Sequence, residues 1–211
     1  MKVAIIGGTG TLGSGLALRL SSLHSVSIGS RDEERGVASA HELSSACGRT
    51  IEGGLNEKVA RECDAALLPV SYTAGMEVLT GLEEALKDKL VISPVVPMAL
   101  VEGRFCYTKE TGSAAEQIAS ILKDSRVAAA LHTVPAPRLL KADVPLDMDT
   151  LVAADSRQTF TEVAGLLSAI EGLRFLYSGQ LSSARSLEQL TPLLLNLARS
   201  NGLKSPALKL V

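Results

Sequence analysis

The sequence predicts an α/β protein: a Rossmann-type doubly wound, mostly parallel sheet with a small helical C-terminal part. Three observations carry this reading. Short apolar runs alternate with stretches of helical period along most of the chain. The first of these runs, "KVAIIG", leads directly into five glycines within nine residues, "GGTGTLGSG". Beyond Ser182 the alternation stops and a leucine-rich helical stretch takes over.

"KVAIIG" (2–7) is apolar on both faces, as a buried parallel strand requires. "SGLALRLSSL" follows, with Leu16, Ala17, Leu20 and Leu23 at helical spacing. "VSIGS" (26–30) is the next strand. "DAALLPVS" (64–71) and "LVISPVVPM" (90–98) are further strands, separated by "TAGMEVLTGLEEALKDK", read as one helix. Ser113 with Glu116 three residues on forms a capping box for a helix over 113–125. "VAAALHTVPAP" and "DTLVAAD" read as strands, "TFTEVAGLLSAIEG" as a helix and "LRFLYSG" as a last strand. These place a nucleotide-binding domain over 1–179 and a helical segment over 180–211. In that segment Leu187, Leu190, Leu194 and Leu197 form a stripe. Leu193 and Leu195 widen it until the helix is apolar almost all round, which predicts burial against the core or a second subunit. Pro192 predicts a kink.

Composition narrows the function. The net charge of −2 and the absence of a charged tail argue against nucleic acid, as does an aromatic content of 3% with no Trp. Cys47, Cys63 and Cys106 form no C-x-x-C pair and read as free thiols of a cytoplasmic protein. No run is long enough to span a membrane. His24, His41 and His132 lack metal-ligand spacing, so no metal is expected.

Gly8, Gly10 and Gly13 match G-x-G-x-x-G at a strand-to-helix turn, the context that gives this pattern its meaning. Gly8 permits the turn, Gly10 lets a pyrophosphate approach the backbone, and Gly13 lets the helix pack close to the strand. Helix-start N–H groups then hold the phosphates. At the end of the second strand an acidic residue would bind the ribose of NAD. Here the order is Ser30, Arg31, Asp32, with Arg35 one helical turn on. A hydroxyl and two guanidinium groups suit a 2′-phosphate, so NADP is expected. A solvated pairing of Arg31 and Arg35 with Asp32 and Glu34 is the alternative. Ligands of such sheets lie at the carboxyl ends of the strands, near Pro69, Val70, Ser71, Ser93, Pro94 and Val96.

Acid–base machinery is sparse. His132, in "LHTVPAP" at a predicted strand end, is the one candidate, either as a pocket residue or as a histidine bonded to a backbone carbonyl. Hydride transfer between two bound coenzymes needs alignment more than an acid or base.

The whole chain resembles the F420-dependent NADP reductases. The resemblance rests on "GGTGTLGSGLALRL", "GSRDEER", "SPVVP", "SAAEQIA", "LHTVPA" and "LEQLTPLLLNLARSNG", in family order. It implies reversible hydride transfer between NADP(H) and the deazaflavin coenzyme F420, and a homodimer. It further implies that Thr9, Gly10, Thr11 and Leu12 hold the pyrophosphate and that Ser30, Arg31 and Arg35 hold the 2′-phosphate. Val70, Val96 and Ala136 would line the nicotinamide. His132, Pro135 and the stretch from Thr191 to Asn196 would flank the deazaflavin. Arg138, Lys141 or Arg199 would meet its acidic tail, or simply be solvated. Ser71 and Tyr72 depart from a familial tryptophan, and Ala74 from a familial histidine. Reduction of another acceptor (a flavin, ferric chelate or imine) and a non-catalytic NADP(H)-binding role are the alternatives.

Overall fold

β1 (Lys2–Ile5) is buried on both faces from Val3 onward, as its unbroken apolar run demands. The computed structural model describes residues 1–211. After β1 come α1 (Thr11–Leu20), β2 (Ser25–Ser30), α2 (Glu33–Cys47), β3 (Ile51–Leu55), α3 (Asn56–Glu62), β4 (Ala65–Leu67), α4 (Tyr72–Leu79) and β5 (Leu90–Ser93). A hairpin of β6 (Met98–Val101) and β7 (Arg104–Tyr107) follows. The chain ends with α5 (Ala114–Ile121), β8 (Arg126–Ala129), α6 (Ala136–Leu139), β9 (Met148–Ala154), α7 (Arg157–Leu167), β10 (Leu173–Tyr177) and α8 (Ala184–Ser200).

Eight strands form one sheet in the order β3-β2-β1-β4-β5-β8-β9-β10. All neighbours pair in parallel except β8 and β9. Both faces are covered. Leu16, Ala17 and Leu20 of α1, Leu139 of α6 and Val163 of α7 pack on one face with Val3 and Ile5. Ala60 of α3, Leu79 of α4, Ile118 of α5 and Leu187 of α8 pack on the other with Ala4 and Ala66. The strand order reverses direction at β1 and β4, so a crevice opens at their carboxyl ends.

Several expectations need correction. Leu23 is exposed, because α1 ends at Leu20. The helix expected over 73–89 stops at Leu79, and Gly81 turns the chain with φ 97°. The strand expected through His132 ends at Ala129, where Leu131 takes φ 70°. β3 and the β6–β7 hairpin were not expected. α8 runs on through Pro192, and it is not buried all round. Leu193 and Leu197 remain about half exposed, at 53% and 48%. Among its fully buried residues is a carboxylate, Glu188.

That carboxylate accepts the Ala114 and Ala115 amides, at 3.0 Å or less, and the Tyr107 hydroxyl at 2.7 Å. It thereby fastens α8 to the amino end of α5 and to the hairpin. Burial raises the Glu188 pKa, while the two amides and the phenol work against that rise. Burial and the neighbouring carboxylate push the Tyr107 phenol upward.

Candidate functional site

The turn between β1 and α1 is built from backbone. Gly7 takes φ 66°, and its N–H donates to Asn56 Oδ1 at 2.9 Å. The Gly8 N–H donates to the Gly29 carbonyl at 3.0 Å, which ties the turn to β2. A Cβ on Gly13 would stand 2.2 Å from the Gly8 oxygen, so helix and turn touch through their backbones. A Cβ on Gly10 would meet nothing within 4 Å. Its face is the open approach to the turn, which is the property the pattern requires for a pyrophosphate. Gly10 is also the N-cap of α1, and no side chain caps the helix. The first-turn amides of Thr11, Leu12 and Gly13 therefore have no intrahelical partner. Thr9 is half-buried on the turn, Thr11 is exposed and Leu12 half-buried at the helix start.

Ser30 ends β2, buried, and its Oγ accepts the Asp32 N–H at 3.2 Å. Asp32 caps α2 by accepting the Arg35 N–H at 3.0 Å. Arg31 and Arg35 are exposed and enter no ion pair; the chain's ion pairs lie elsewhere. The pairing with Asp32 and Glu34 weighed above is absent. Ser30 and Arg31 line a cleft of about 420 Å³ with Asn56, Glu77 and Thr80. Asn56 carried no motif that would have singled it out. Its Oδ1 is spent on Gly7, and the residue is part of the cleft lining.

Val70 lies beyond β4 against the turn. A Cβ on Gly7 would come 2.4 Å from Val70 Cγ1, and one on Gly75 would come 2.9 Å from Val70 Cγ2. Val96 is half-buried beyond β5, and Ala136 opens α6.

A second cavity of about 340 Å³ collects residues distant in sequence. His132, Pro135 and Ala136 line it with Thr191 and Leu194 of α8 and with Ser205 and Pro206. The Thr191 hydroxyl donates to the His132 carbonyl at 2.8 Å, joining α8 to this wall. His132 is 8% exposed, and its Nε2 has no hydrogen-bond partner. Burial pushes its pKa down to about 3, so the ring is neutral near pH 7. No charged residue lines this cavity, which suits an uncharged ring system.

Asn196 stands apart. Its amide accepts from the Phe105 N–H at 2.9 Å and donates to the Phe105 carbonyl at 2.8 Å, so it braces the hairpin. Arg199 donates to the Gly103 carbonyl, also on the hairpin, and Arg138 to the Leu146 carbonyl. Tyr72 donates to Gln117 Oε1 at 2.6 Å, beside Lys109.

Arg19 carries no motif, yet it holds the segment that follows the pocket wall. Buried on α1, it donates to the carbonyls of Arg138, Leu139, Lys141 and Val144 at 2.7–3.0 Å. A Cβ on Gly15 would stand 2.5 Å from Leu139 Cβ, so α1 and α6 pack tightly. The helix that begins at the glycine turn thus also carries the segment that follows the second cavity.

Comparison with known proteins gives the chain its family. The profile of a family described as NADP oxidoreductase coenzyme F420-dependent matches residues 2–97. The F420-dependent NADP reductase of Methanothermobacter marburgensis is 37% identical over 220 residues, spanning 100% of this chain and 98% of that protein. That of Methanocaldococcus jannaschii is 35% identical over 206 residues, spanning 93% of this chain and 92% of that one. A crystal structure from Arthrobacter sp. FB24, provisionally described as an F420-dependent NADP-reductase, has a TM-score of 0.87 at 24% identity, covering 100% of this chain and 99% of that one. An imine reductase of Streptomyces aurantiacus has a TM-score of 0.61 at 20% identity, covering 97% and 69%. The two structural likenesses speak for the fold alone. The matches along the full sequence go further: the chain belongs to the family of F420-dependent NADP reductases.

Proposed function

We propose that this chain catalyses reversible hydride transfer between NADP(H) and coenzyme F420. The coenzymes supply the chemistry, a hydride passing between the nicotinamide C4 and the deazaflavin C5, with one proton taken from or returned to solvent. The observation that carries the reading is a pair of cavities of different character: a polar cleft lined by Ser30 and the unpaired Arg31 guanidinium, and an apolar pocket with a neutral histidine.

Thr9, Gly10, Thr11 and Leu12 receive the pyrophosphate on backbone N–H groups, with Gly8 and Gly13 shaping the turn. Ser30, Arg31 and Arg35 take the 2′-phosphate. Val70, Val96 and Ala136 bound the nicotinamide and keep water out. His132, Pro135 and Thr191 hold the deazaflavin, and Asn196 contributes by holding the hairpin. Neutral His132 orients rather than titrates. The protein's contribution is alignment and desolvation of two reactants.

The active form is a homodimer in the cytoplasm. Exposed Leu193 and Leu197 on α8, and Met98, Leu100 and Val101 on the hairpin, support the dimer. The free thiols of Cys47, Cys63 and Cys106 support the compartment.

The test is an absorbance assay at two wavelengths with oxidised F420 and NADPH, repeated with NADH and with FMN. Bleaching of the deazaflavin with NADPH, and little with NADH or FMN, is the expected result. NADPH binding with no bleaching of F420 overturns the acceptor assignment.

A further inference from the structure

The second cavity has one wall that no motif announces. Beyond α8 the Leu203 N–H closes the helix end on the Ala198 carbonyl at 2.9 Å. Ser205 then takes φ 52°, the left-handed region, and Ser205 and Pro206 line the cavity together with His132 and Ala136. Two residues later the segment is pinned to the sheet. Leu208 bridges Asp149 in antiparallel fashion, and the Asp149 N–H donates to the Leu208 carbonyl at 2.8 Å.

Asp149 is the hub of that attachment. Its carboxylate accepts the Leu210 N–H at 2.6 Å and two guanidinium N–H groups of Arg174 at 2.7 and 2.8 Å. Arg174 also donates to the Leu210 carbonyl. Lys209 adds an ion pair with Asp147 at 2.5 Å. The Asp149 side chain is 3% exposed, while that of Arg174 is 56% exposed. This is a fork-to-fork pairing, the geometry that fixes direction as well as distance.

The antiparallel placement of β9 explains why this hub is level with the pocket. Ala128 and Ala129 of β8 face Ala154 and Ala153 of β9, so the amino end of β9 projects past the carboxyl end of β8. The Leu131 N–H donates to Thr150 Oγ1 at 2.9 Å, one residue from His132 and one from Asp149. The anchor of the strap and the His132 side of the cavity are thus fixed to neighbouring residues.

The cavity's hydroxyls complete the case. Thr191 is already spent on the His132 carbonyl. Thr133 and Ser205 are the hydroxyl residues of the lining left without a partner in the chain. One of these two is supplied by the strap.

We propose that residues 203–208 form the specificity wall of the acceptor pocket, with Ser205 presenting a hydroxyl to the acceptor ring and Asp149 acting as the positioning residue that holds the wall in place. This rests on the acceptor assignment made above. Its consequence is selective: loosening the strap weakens the grip on the deazaflavin and leaves the NADPH end unchanged.

The experiment compares the full chain with Asp149→Asn, Arg174→Gln and Ser205→Ala. Three quantities are measured: the Kd for oxidised F420 and for NADPH by titration, the KM and kcat for each, and the rate of tryptic cleavage after Lys204. Asp149→Asn should raise the Kd and KM for F420 about tenfold, keep NADPH within about twofold, and speed cleavage. Arg174→Gln should do the same more weakly; its exposed side chain makes it the variant to read if Asp149→Asn fails to fold. Ser205→Ala should weaken F420 about threefold with cleavage unchanged. The proposal is overturned if cleavage speeds up while F420 binds as before, if neither changes, or if both coenzymes weaken in parallel. If the unmodified protein binds NADPH but not F420, it is the acceptor assignment that falls.

Discussion

The two ends of the proposed site are built in opposite ways. The nucleotide end is local and made of backbone: Gly7 to Gly13 and Ser30 to Arg35 sit on adjacent parallel strands and their turns. The acceptor end is assembled from side chains of three segments far apart in sequence, 132–137, 191–195 and 205–206. A turn that receives phosphates on its own amides needs close backbone approach, so its sequence is tightly constrained. A pocket that encloses an apolar ring needs shape, which many side chains supply once the walls are braced. The braces, Arg19 and Asp149, are therefore as informative as the lining.

The largest expected effect lies at the nucleotide end. Gly13→Ala places a Cβ 2.2 Å from the Gly8 oxygen, a clash between backbones that no rotamer relieves. Loss of NADPH binding by about 100-fold or more, or failure to fold, should appear in a titration paired with thermal melting. Gly10→Ala, with nothing within 4 Å, should melt like the parent. If the two variants behave alike, the close-approach account is wrong.

Next comes Arg31→Ala. Removal of an unpaired guanidinium beside Ser30 should raise the KM for NADPH about 30- to 100-fold and leave the KM for NADH nearly unchanged. Equal losses for both nucleotides would detach Arg31 from the 2′-phosphate.

Arg19→Met tests the acceptor end and the bracing idea. It strands four carbonyls that the guanidinium now satisfies. A destabilisation of about 2–4 kcal/mol in denaturant melts is expected, with the KM for F420 rising more than that for NADPH.

The smallest effect on activity is in pH. His132 has its folded pKa near 3, below the ordinary 6.5. Between these values the unfolded chain binds a proton that the folded chain does not. Stability should therefore fall as pH drops from about 6.5 towards 3, and His132→Gln should flatten that fall in urea melts taken across the window. The pH–rate profile above pH 5 should show no limb that His132→Gln removes. Such a limb would refute the neutral, orienting role of this residue.

Much of this contrast was legible in the sequence. The strands β1 and β5 are apolar runs, β2, β9 and β10 are largely apolar or β-branched stretches of ordinary length, and the glycine turn announces itself by spacing. The Ser113–Glu116 capping signal was also sound, since Ser113 accepts the Glu116 N–H at 3.0 Å. β3 was hidden because it reads "IEGGL". A Cβ on Gly53 would lie 2.3 Å from the Gly36 oxygen, so α2 rests on bare strand backbone and the position excludes the side chains that signal a strand. The β6–β7 hairpin was hidden because Met98, Ala99, Leu100 and Val101 are all exposed and show no alternation. Arg19, Glu188 and Asp149 were illegible for another reason. Charged residues within amphipathic segments read as surface, and only the tertiary arrangement of carbonyls, amides and guanidinium groups explains their burial.

The glycines of β3 have one more effect. β3 lies at the margin of the eight-stranded sheet, where an unpaired row of amides and carbonyls is a template for a stray chain. Gly53 and Gly54 leave such a chain few side chains to pack against, and Glu52 sets an exposed negative charge beside them. The strand is only five residues long. The same sparseness that lets α2 settle onto the backbone makes this edge a poor seed for aggregation, so protection of the edge is a by-product of close packing.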